Sequence, residues 1–102
     1  MISECRLINK DYGKKVNDIY IGDLLSVVMG HIKENTLWIT SQKSMNVIAI
    51  ASLNDVSTII FVHSMMPDEE VIKKADECEI TLYSTDLSAY EVVRELIKDN
   101  VL

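Results

Sequence analysis

The hydrophobic and polar positions of the chain repeat in a fixed order. A short apolar stretch comes first, and a longer stretch with apolar residues every three or four positions follows it. The short stretches are rich in β-branched and aromatic residues, which predicts strands at DIYIG (18–22), TLWIT (36–40), TIIFVH (58–63) and ITLYS (80–84). Apolar residues at helical spacing predict a helix after each strand, within 23–33, 45–57, 66–78 and 88–98. Four successive strand–helix units predict a mainly parallel sheet with helices packed on its faces.

The predicted fold class is therefore α/β, a small three-layer domain with four to five strands, and residues 1–102 form a single domain. ECRLIN (4–9) has the pattern of a short edge strand, and KDYGKKVN (10–17) that of a turn or loop. The segment 45–57 is ambiguous, because its continuous apolar middle also suits a strand. Apolar residues recur there at every third position, which favours the helix.

Helix start signals precede three of the predicted helices. Asp23 is of the residue type that caps helix N-termini, and Pro67 suits the first position of a helix. Ser88 and Glu91 have the spacing of a capping box. We therefore expect helices to begin next to these residues.

Composition and charge exclude several classes of protein. The formal net charge is −6, with ten basic and sixteen acidic residues, and the basic residues form no stripe that would suit nucleic acid. The longest apolar run is far shorter than a membrane span, and no signal-like segment opens the chain. Cys5 and Cys78 are far apart, without a C-x-x-C motif, so a disulfide framework is not expected. These observations predict a cytoplasmic protein that binds neither nucleic acid nor a membrane.

The predicted strand ends carry polar residues that suit a ligand site. In parallel sheets ligands bind beyond the carboxyl ends of the strands, and here those ends are Gly22-Asp23, Thr40-Ser41, His63-Ser64 and Ser84-Thr85-Asp86. We expect a shallow pocket between Gly22-Asp23 and the 84–86 turn. Free N–H groups of helix N-termini at this edge suit a small neutral or weakly anionic ligand, such as adenosine or a nucleoside monophosphate. The alternative is that these residues serve only as turns.

Other chemistry is less well supported. Neither the dinucleotide fingerprint nor the P-loop pattern is present, and two carboxylates at the strand ends disfavour an unaided polyphosphate. Asp23 and Asp86 could share a magnesium ion, or each could cap its own helix. A Ser–His–Asp set drawn from Ser64, His63 and Asp86 rests on proximity alone, because G-x-S-x-G is absent. No catalytic residue, metal ligand or cofactor is therefore assigned.

Apolar residues are numerous for a chain of 102 residues. Methionine-rich and aliphatic surface favours contact with a partner. The residues that suggest such a surface are Trp38, Met45, Ile59, Phe61, Met65, Met66 and the stretch NVIAIA (46–51). We therefore expect self-association, most simply as a homodimer.

Five blocks of the chain together resemble the DRTGG domain family over roughly residues 16–98. They are IYIGDLLSVVMG, WIT, NVIAIASLNDVSTIIFV, PDEEVIKKA and STDLSAYEVV. The family is similar to modules beside CBS domains in regulatory pyrophosphatases and inside some phosphotransacetylases. It also looks like the short stand-alone proteins that accompany iron-only hydrogenase and redox-sensing components in anaerobes. The chain departs from the family at residues 13–18, where it has GKKVND in place of the naming motif.

The resemblance implies an α/β regulatory or interaction module without enzymatic activity, homodimeric and associated with redox or hydrogenase components. By match to the retained blocks, the ligand-binding positions carried over are Gly22, Asp23, Ser26, Ser84, Thr85 and Asp86. Two alternatives stay open beside this interpretation. One is a sensor that binds an adenine nucleotide at the carboxyl edge of the strands, and the less supported one is a metal-assisted phosphoryl-transfer enzyme.

Overall fold

The structure is a computed structural model that describes residues 2–101. Five strands and four helices alternate in the order expected from the sequence. The strands are β1 (Arg6–Leu7), β2 (Asp18–Ile21), β3 (Thr36–Thr40), β4 (Thr58–Phe61) and β5 (Thr81–Ser84). The helices are α1 (Leu25–His31), α2 (Met45–Leu53), α3 (Glu69–Glu77) and α4 (Ala89–Lys98).

The strands form one mixed sheet in the order β1-β5-β4-β3-β2. Neighbouring strands from β2 to β5 are parallel, and β1 is antiparallel to β5 at the edge of the sheet. The mainly parallel sheet is therefore confirmed, together with the short edge strand within residues 4–9. Because β2 to β5 follow one another both in sequence and in space, α1, α2 and α3 each connect two adjacent strands, while α4 follows the last strand.

The two faces of the sheet are covered unequally. In β3, Trp38 belongs to the apolar cluster that contacts α1, α2 and α3, while Leu37 and Ile39 belong to the cluster on the opposite face. That opposite cluster contains Val92 and Leu96 of α4 and apolar residues of the N-terminal segment. Three layers result, with three helices on one face and one helix on the other.

The ambiguous segment 45–57 is a helix, as its spacing favoured. Val47, Ile48, Ile50 and Ala51 of α2 are buried against the sheet. The chain leaves the helix after Leu53, through a turn in which Asp55 has a φ of 53°. None of the four helices described has the length and apolar character needed to cross a membrane.

One helix start is as predicted and another is displaced. Ser88 caps α4, since its hydroxyl accepts from the Glu91 amide at 3.3 Å while the Glu91 carboxylate accepts from the Ser88 amide at 3.0 Å. The prediction that Pro67 is the first helical residue is wrong. The carboxylate of Asp68 accepts from the Val71 amide at 3.2 Å, so Asp68 is the cap and α3 begins at Glu69.

The predicted cap of α1 is also wrong. This helix begins at Leu25, and Leu24 occupies the cap position without a side-chain hydrogen bond. Asp23 does not cap the helix because its carboxylate accepts three hydrogen bonds from the neighbouring turn after β3.

Candidate functional site

The carboxyl ends of β2, β3, β4 and β5 meet at one edge of the sheet, as the sequence predicted. Backbone hydrogen bonds continue beyond the strands and join their ends. The Gly22 amide donates to Ile39 O at 3.2 Å, and the Val62 amide donates to Thr40 O at 3.0 Å. We call this rim, formed by residues 22–23, 40–44, 62–68 and 84–88, the carboxyl edge.

Asp23 connects the turn after β2 to the turn after β3. One carboxylate oxygen accepts from the Thr40 hydroxyl and the Ser41 amide, each at 2.7 Å, and the other accepts from the Ser41 hydroxyl at 2.8 Å. Partial burial acts to raise the pKa of Asp23, but these hydrogen bonds outweigh burial and hold the pKa below its usual value. The carboxylate therefore stays ionised and fastens the two turns together.

The Asp23 contacts predict a stability difference that depends on pH. Because folding lowers the pKa of Asp23, its stabilisation is present above the unfolded pKa of about 3.9 and is lost as pH falls through the folded value. We expect Asp23→Ala to cost no more than about 1 kcal/mol at pH 7, since the side chain is exposed, and the difference to vanish in acid. Urea denaturation between pH 2 and 7 measures it.

The control is Glu34→Ala, which removes an exposed carboxylate outside the carboxyl edge. It separates loss of the Asp23 contacts from loss of one negative charge. An Asp23→Ala deficit that stays constant down to pH 2 would contradict the assignment.

Gly22 has a packing role at the same turn. Its carbonyl accepts from the Trp38 indole N–H at 2.9 Å. A Cβ atom at position 22 would lie 2.9 Å from Tyr20 Cε2 and 3.0 Å from Val28 Cγ2, closer than side chains tolerate without moving. A glycine therefore lets the β2–α1 turn approach the sheet closely.

A second cluster lies at the other end of the carboxyl edge. One carboxylate oxygen of Asp86 accepts from the Ser64 hydroxyl at 2.6 Å and from an Arg6 guanidinium nitrogen at 3.3 Å. The hydrogen bond from Ser64, followed by that from Arg6 and the charge of Arg6, lowers the pKa of Asp86. Asp86 therefore does not cap α4, and that interpretation is wrong, because Ser88 is the cap.

Ser84 and Thr85 lie inside this second cluster and are buried. Ser84 is the last residue of β5 and lies opposite Arg6 of β1. The Thr85 hydroxyl donates to Glu4 O at 2.7 Å and accepts from the Leu87 amide at 3.2 Å. The Thr85 side chain therefore holds the strand end in place, and Asp86 is the exposed member of the predicted 84–86 site.

The structure does not bring the two halves of the predicted pocket together. Strands β3 and β4 lie between β2 and β5, and three strand spacings amount to roughly 14 Å. Gly22-Asp23 and Ser84–Asp86 therefore do not lie side by side in one compact pocket, and the two carboxylates are too far apart to share one magnesium ion. That these residues bind a ligand stays a prediction. Among residues 2–101 no group of three or more acidic, histidine or cysteine side chains is arranged to hold a metal.

Three further positions singled out in the sequence are His63, Ser64 and Ser26. The Ser64 hydroxyl donates directly to Asp86, so His63 does not stand between them as a general base would. Both His63 and Ser64 have left-handed backbone conformations, with φ of 55° and 62°. Ser26 is the second residue of α1 and lines a groove between α1 and α2.

A cavity at the centre of the carboxyl edge was not predicted. Its volume is about 550 Å³, and it lies between the β3–α2 and β4–α3 turns. We call it the central cavity, and its lining residues are Ser41, Gln42, Lys43, Ser44, Met65, Met66 and Asp68. The sequence signals for it were Lys43, a basic residue near the strand ends, and the neighbouring methionines Met65 and Met66.

The central cavity contains the N-terminus of α2, which lacks a side-chain cap as the N-terminus of α1 does. Helix α2 begins there without a side-chain cap bond from Ser44 and without an acidic residue in its first turn. By contrast, α3 and α4 begin with capping side chains and acidic first turns. The partial positive charge of the α2 N-terminus and the Lys43 ammonium group therefore make this the part of the edge most favourable to an anionic group.

Comparison with known proteins identifies the family. No curated protein matches the chain in sequence. A similar solved structure is that of the CBS and DRTGG domains of the regulatory region of Clostridium perfringens pyrophosphatase, in complex with its activator diadenosine tetraphosphate. The TM-score is 0.77 at 17% identity, over 91% of this chain and 41% of that one. The family model of the DRTGG domain matches residues 3–98, and the chain therefore belongs to the DRTGG domain family.

Proposed function

We propose that this chain is a regulatory domain without a catalytic reaction of its own, and that it binds an adenine nucleotide in the central cavity. The observation that carries the proposal is the coincidence of a volume of about 550 Å³ with Lys43 and the uncapped N-terminus of α2. Ligand cavities in proteins commonly span about 300–1,000 Å³, which is enough for a mononucleotide. Met65 and Met66 supply the apolar wall that a base requires.

The charge of the site limits the number of phosphates. Lys43 is the one cation that lines the central cavity, Asp68 lies on the opposite wall, and the chain carries a net charge of −6. Each added phosphate therefore meets more repulsion than the site can compensate. A nucleoside monophosphate is the ligand that fits this balance best.

The structural neighbour supports a nucleotide as the signal. The similar pyrophosphatase region is complexed with an adenine-containing activator, diadenosine tetraphosphate. The ligand of that complex suggests an adenine nucleotide for this chain, and the charges of the central cavity suggest a nucleotide with one phosphate. It predicts that the two proteins prefer different phosphate numbers.

Isothermal titration calorimetry with adenosine, AMP, ADP and diadenosine tetraphosphate, each with and without Mg²⁺, tests the proposal. We expect AMP to bind at least as tightly as the tetraphosphate, and Lys43→Ala to weaken AMP binding about tenfold. Lys33→Ala is the matched control, because Lys33 is exposed and does not line the central cavity. No binding of any of the four compounds, or equal loss in the two variants, would overturn the proposal.

A second proposed property is a homodimer formed through α1. Residues 24–32 contain no Asp, Glu, Lys or Arg, and Leu24 is 67% exposed while Val27 and Met29 are also exposed. A groove of about 230 Å³ between α1 and α2 adds the half-buried Leu25 and the exposed Ala49 to this surface. Exposed apolar surface of this kind favours contact with another chain.

The structure corrects the residues expected to form that surface. Trp38, Ile59 and Phe61 are fully buried in the core and cannot contact a partner, whereas Met45 and Met66 are exposed as expected. The outer faces of α3 and α4 carry charged side chains. The α1 surface is therefore the side of the molecule that best suits a second copy.

Sedimentation velocity across micromolar concentrations tests the dimer. We expect Val27→Glu to raise the dissociation constant at least tenfold, because the dimer would bury an unpaired charge. Tyr90→Glu on α4 is the control, since it introduces the same charge at an exposed aromatic position away from α1. A native chain that stays monomeric at every concentration would refute the dimer.

Two other functions stay less supported. Association with a redox or hydrogenase component stays a prediction of the family resemblance. The phosphoryl-transfer alternative required Asp23 and Asp86 to act on one metal ion, and the strand order separates them.

A further inference from the structure

A separate cavity lies at the opposite edge of the sheet, where the strands begin. Its volume is about 190 Å³, and it opens on the face that α4 covers. Leu37, Thr58 and Thr81 form its floor at the beginnings of β3, β4 and β5. Val16 of the loop before β2 forms an apolar wall. We call it the amino-edge cavity.

The amino-edge cavity contains hydroxyl groups with unused hydrogen-bonding capacity. The Tyr83 side chain is 5% exposed and lines the cavity, and its hydroxyl has no hydrogen bond within the described part of the chain. The hydroxyl oxygen itself is not fully buried, because the one buried side-chain oxygen without a partner there is Thr36 Oγ1. The Thr81 hydroxyl accepts from the Tyr12 amide at 3.0 Å and keeps its own proton to donate. The Thr58 hydroxyl has only the Ser57 hydroxyl as a partner, at 3.3 Å. Thr58, Thr81 and Tyr83 line the cavity, so a bound molecule or water can complete the hydrogen bonds of their hydroxyls.

Opposite charges flank the same cavity. Asp11 and Lys14 both line it, and both are exposed. Asp11 lies close enough to Tyr83 to raise its pKa, after the larger effect of burial, so the phenol stays protonated and able to donate. Lys14 has no ion-pair partner among residues 2–101.

We propose that the amino-edge cavity binds a free polar α-amino acid. Its ammonium group would contact Asp11, its carboxylate would contact Lys14, and its side chain would reach the hydroxyls of Thr58, Thr81 and Tyr83. The cavity volume of about 190 Å³ suits a ligand of this size. A protein cavity of about 150 Å³ holds a single benzene ring, so an amino acid fits here and a nucleotide does not. The site is distinct from the central cavity, since the two lie at opposite edges of the sheet.

Calorimetric titration of the full chain with each of the twenty amino acids tests this proposal. We expect at least one polar amino acid to bind. Tyr83→Phe is then expected to weaken its affinity about tenfold while leaving the unfolding temperature unchanged, because the lost hydroxyl makes no hydrogen bond in the unliganded protein. Lys14→Gln is expected to weaken binding to a similar extent.

Lys15→Gln is the matched control, because Lys15 is the next residue, is exposed and does not line the cavity. Lys43→Ala, which alters the central cavity, should leave amino-acid binding unchanged. Absence of binding by all twenty amino acids would overturn the proposal. Binding that Tyr83→Phe and Lys14→Gln leave intact would overturn it as well.

Discussion

Trp38→Ala is expected to lower the free energy of unfolding by about 3–5 kcal/mol, a large part of the 5–15 kcal/mol typical of a domain. The side chain is fully buried in the cluster beneath α1, α2 and α3. Its removal leaves a cavity that the neighbouring residues can fill only partly. It also removes the hydrogen bond from the indole N–H to Gly22 O, which holds the β2–α1 turn against the sheet. Urea denaturation followed by circular dichroism measures the loss.

Trp38→Phe separates packing from hydrogen bonding. Phenylalanine retains an aromatic ring but cannot donate to Gly22 O, so we expect a smaller loss, concentrated in faster amide exchange of residues 22–28. A Trp38→Ala variant within 1 kcal/mol of the native chain would show that position 38 does not anchor the core.

Leu96→Ala is expected to cost about 2–5 kcal/mol for a different reason. Helix α4 is the one helix that covers its face of the sheet, and Val92 and Leu96 are its buried residues. No neighbouring helix on that face can move in to compensate for the lost side chain. We therefore expect the loss to lie in the upper part of this range.

Ile97→Ala is the matched control for Leu96→Ala. Ile97 is the next residue of the same helix, has a side chain of the same volume, and is 64% exposed. Truncation at an exposed site usually changes stability by about 0.5 kcal/mol or less. Equal losses at positions 96 and 97 would contradict the burial of α4 described here.

The strands and helices could be predicted because their signals are local. Residues 36–40 are buried along their whole length, and a continuous β-branched and aromatic run is the signature of such a central strand. The helix at 45–53 was correctly favoured because apolar residues on one helical face recur at fixed spacing, whatever the tertiary context. The capping box of Ser88 and Glu91 is equally local, since both partners lie within one turn.

The sequence-based predictions that proved wrong depend on contacts between distant parts of the chain. Asp23 has the chemistry of a helix cap, but Thr40 and Ser41 offer three hydrogen bonds to the same carboxylate. These partners lie 17 and 18 residues away in sequence, so no local pattern announces them. The order of strands within the sheet is also set by tertiary packing. Without the strand order, the distance between Gly22 and Asp86 could not be predicted.

The exposed apolar surface was misjudged for a related reason. Counting hydrophobic residues indicated an excess, but the count does not say which of them the core accommodates. Trp38 and Phe61 lie on central strands with helices above them, whereas Leu24 and Val27 lie at the margin of the sheet beside the edge strand β2. Position within the sheet, more than hydrophobicity, decides which side chains remain exposed.

The pairing of Ser3 with Asp99 bears on how evolution can reuse this unit. The Ser3 amide and hydroxyl both donate to the Asp99 carboxylate at 3.0 Å, so the polypeptide enters and leaves the fold at adjoining points. A unit with such neighbouring ends can be spliced into a surface loop of a host enzyme without stretching the host's own backbone. Inserting this domain into a protein of another fold would then require little more than two short connecting peptides.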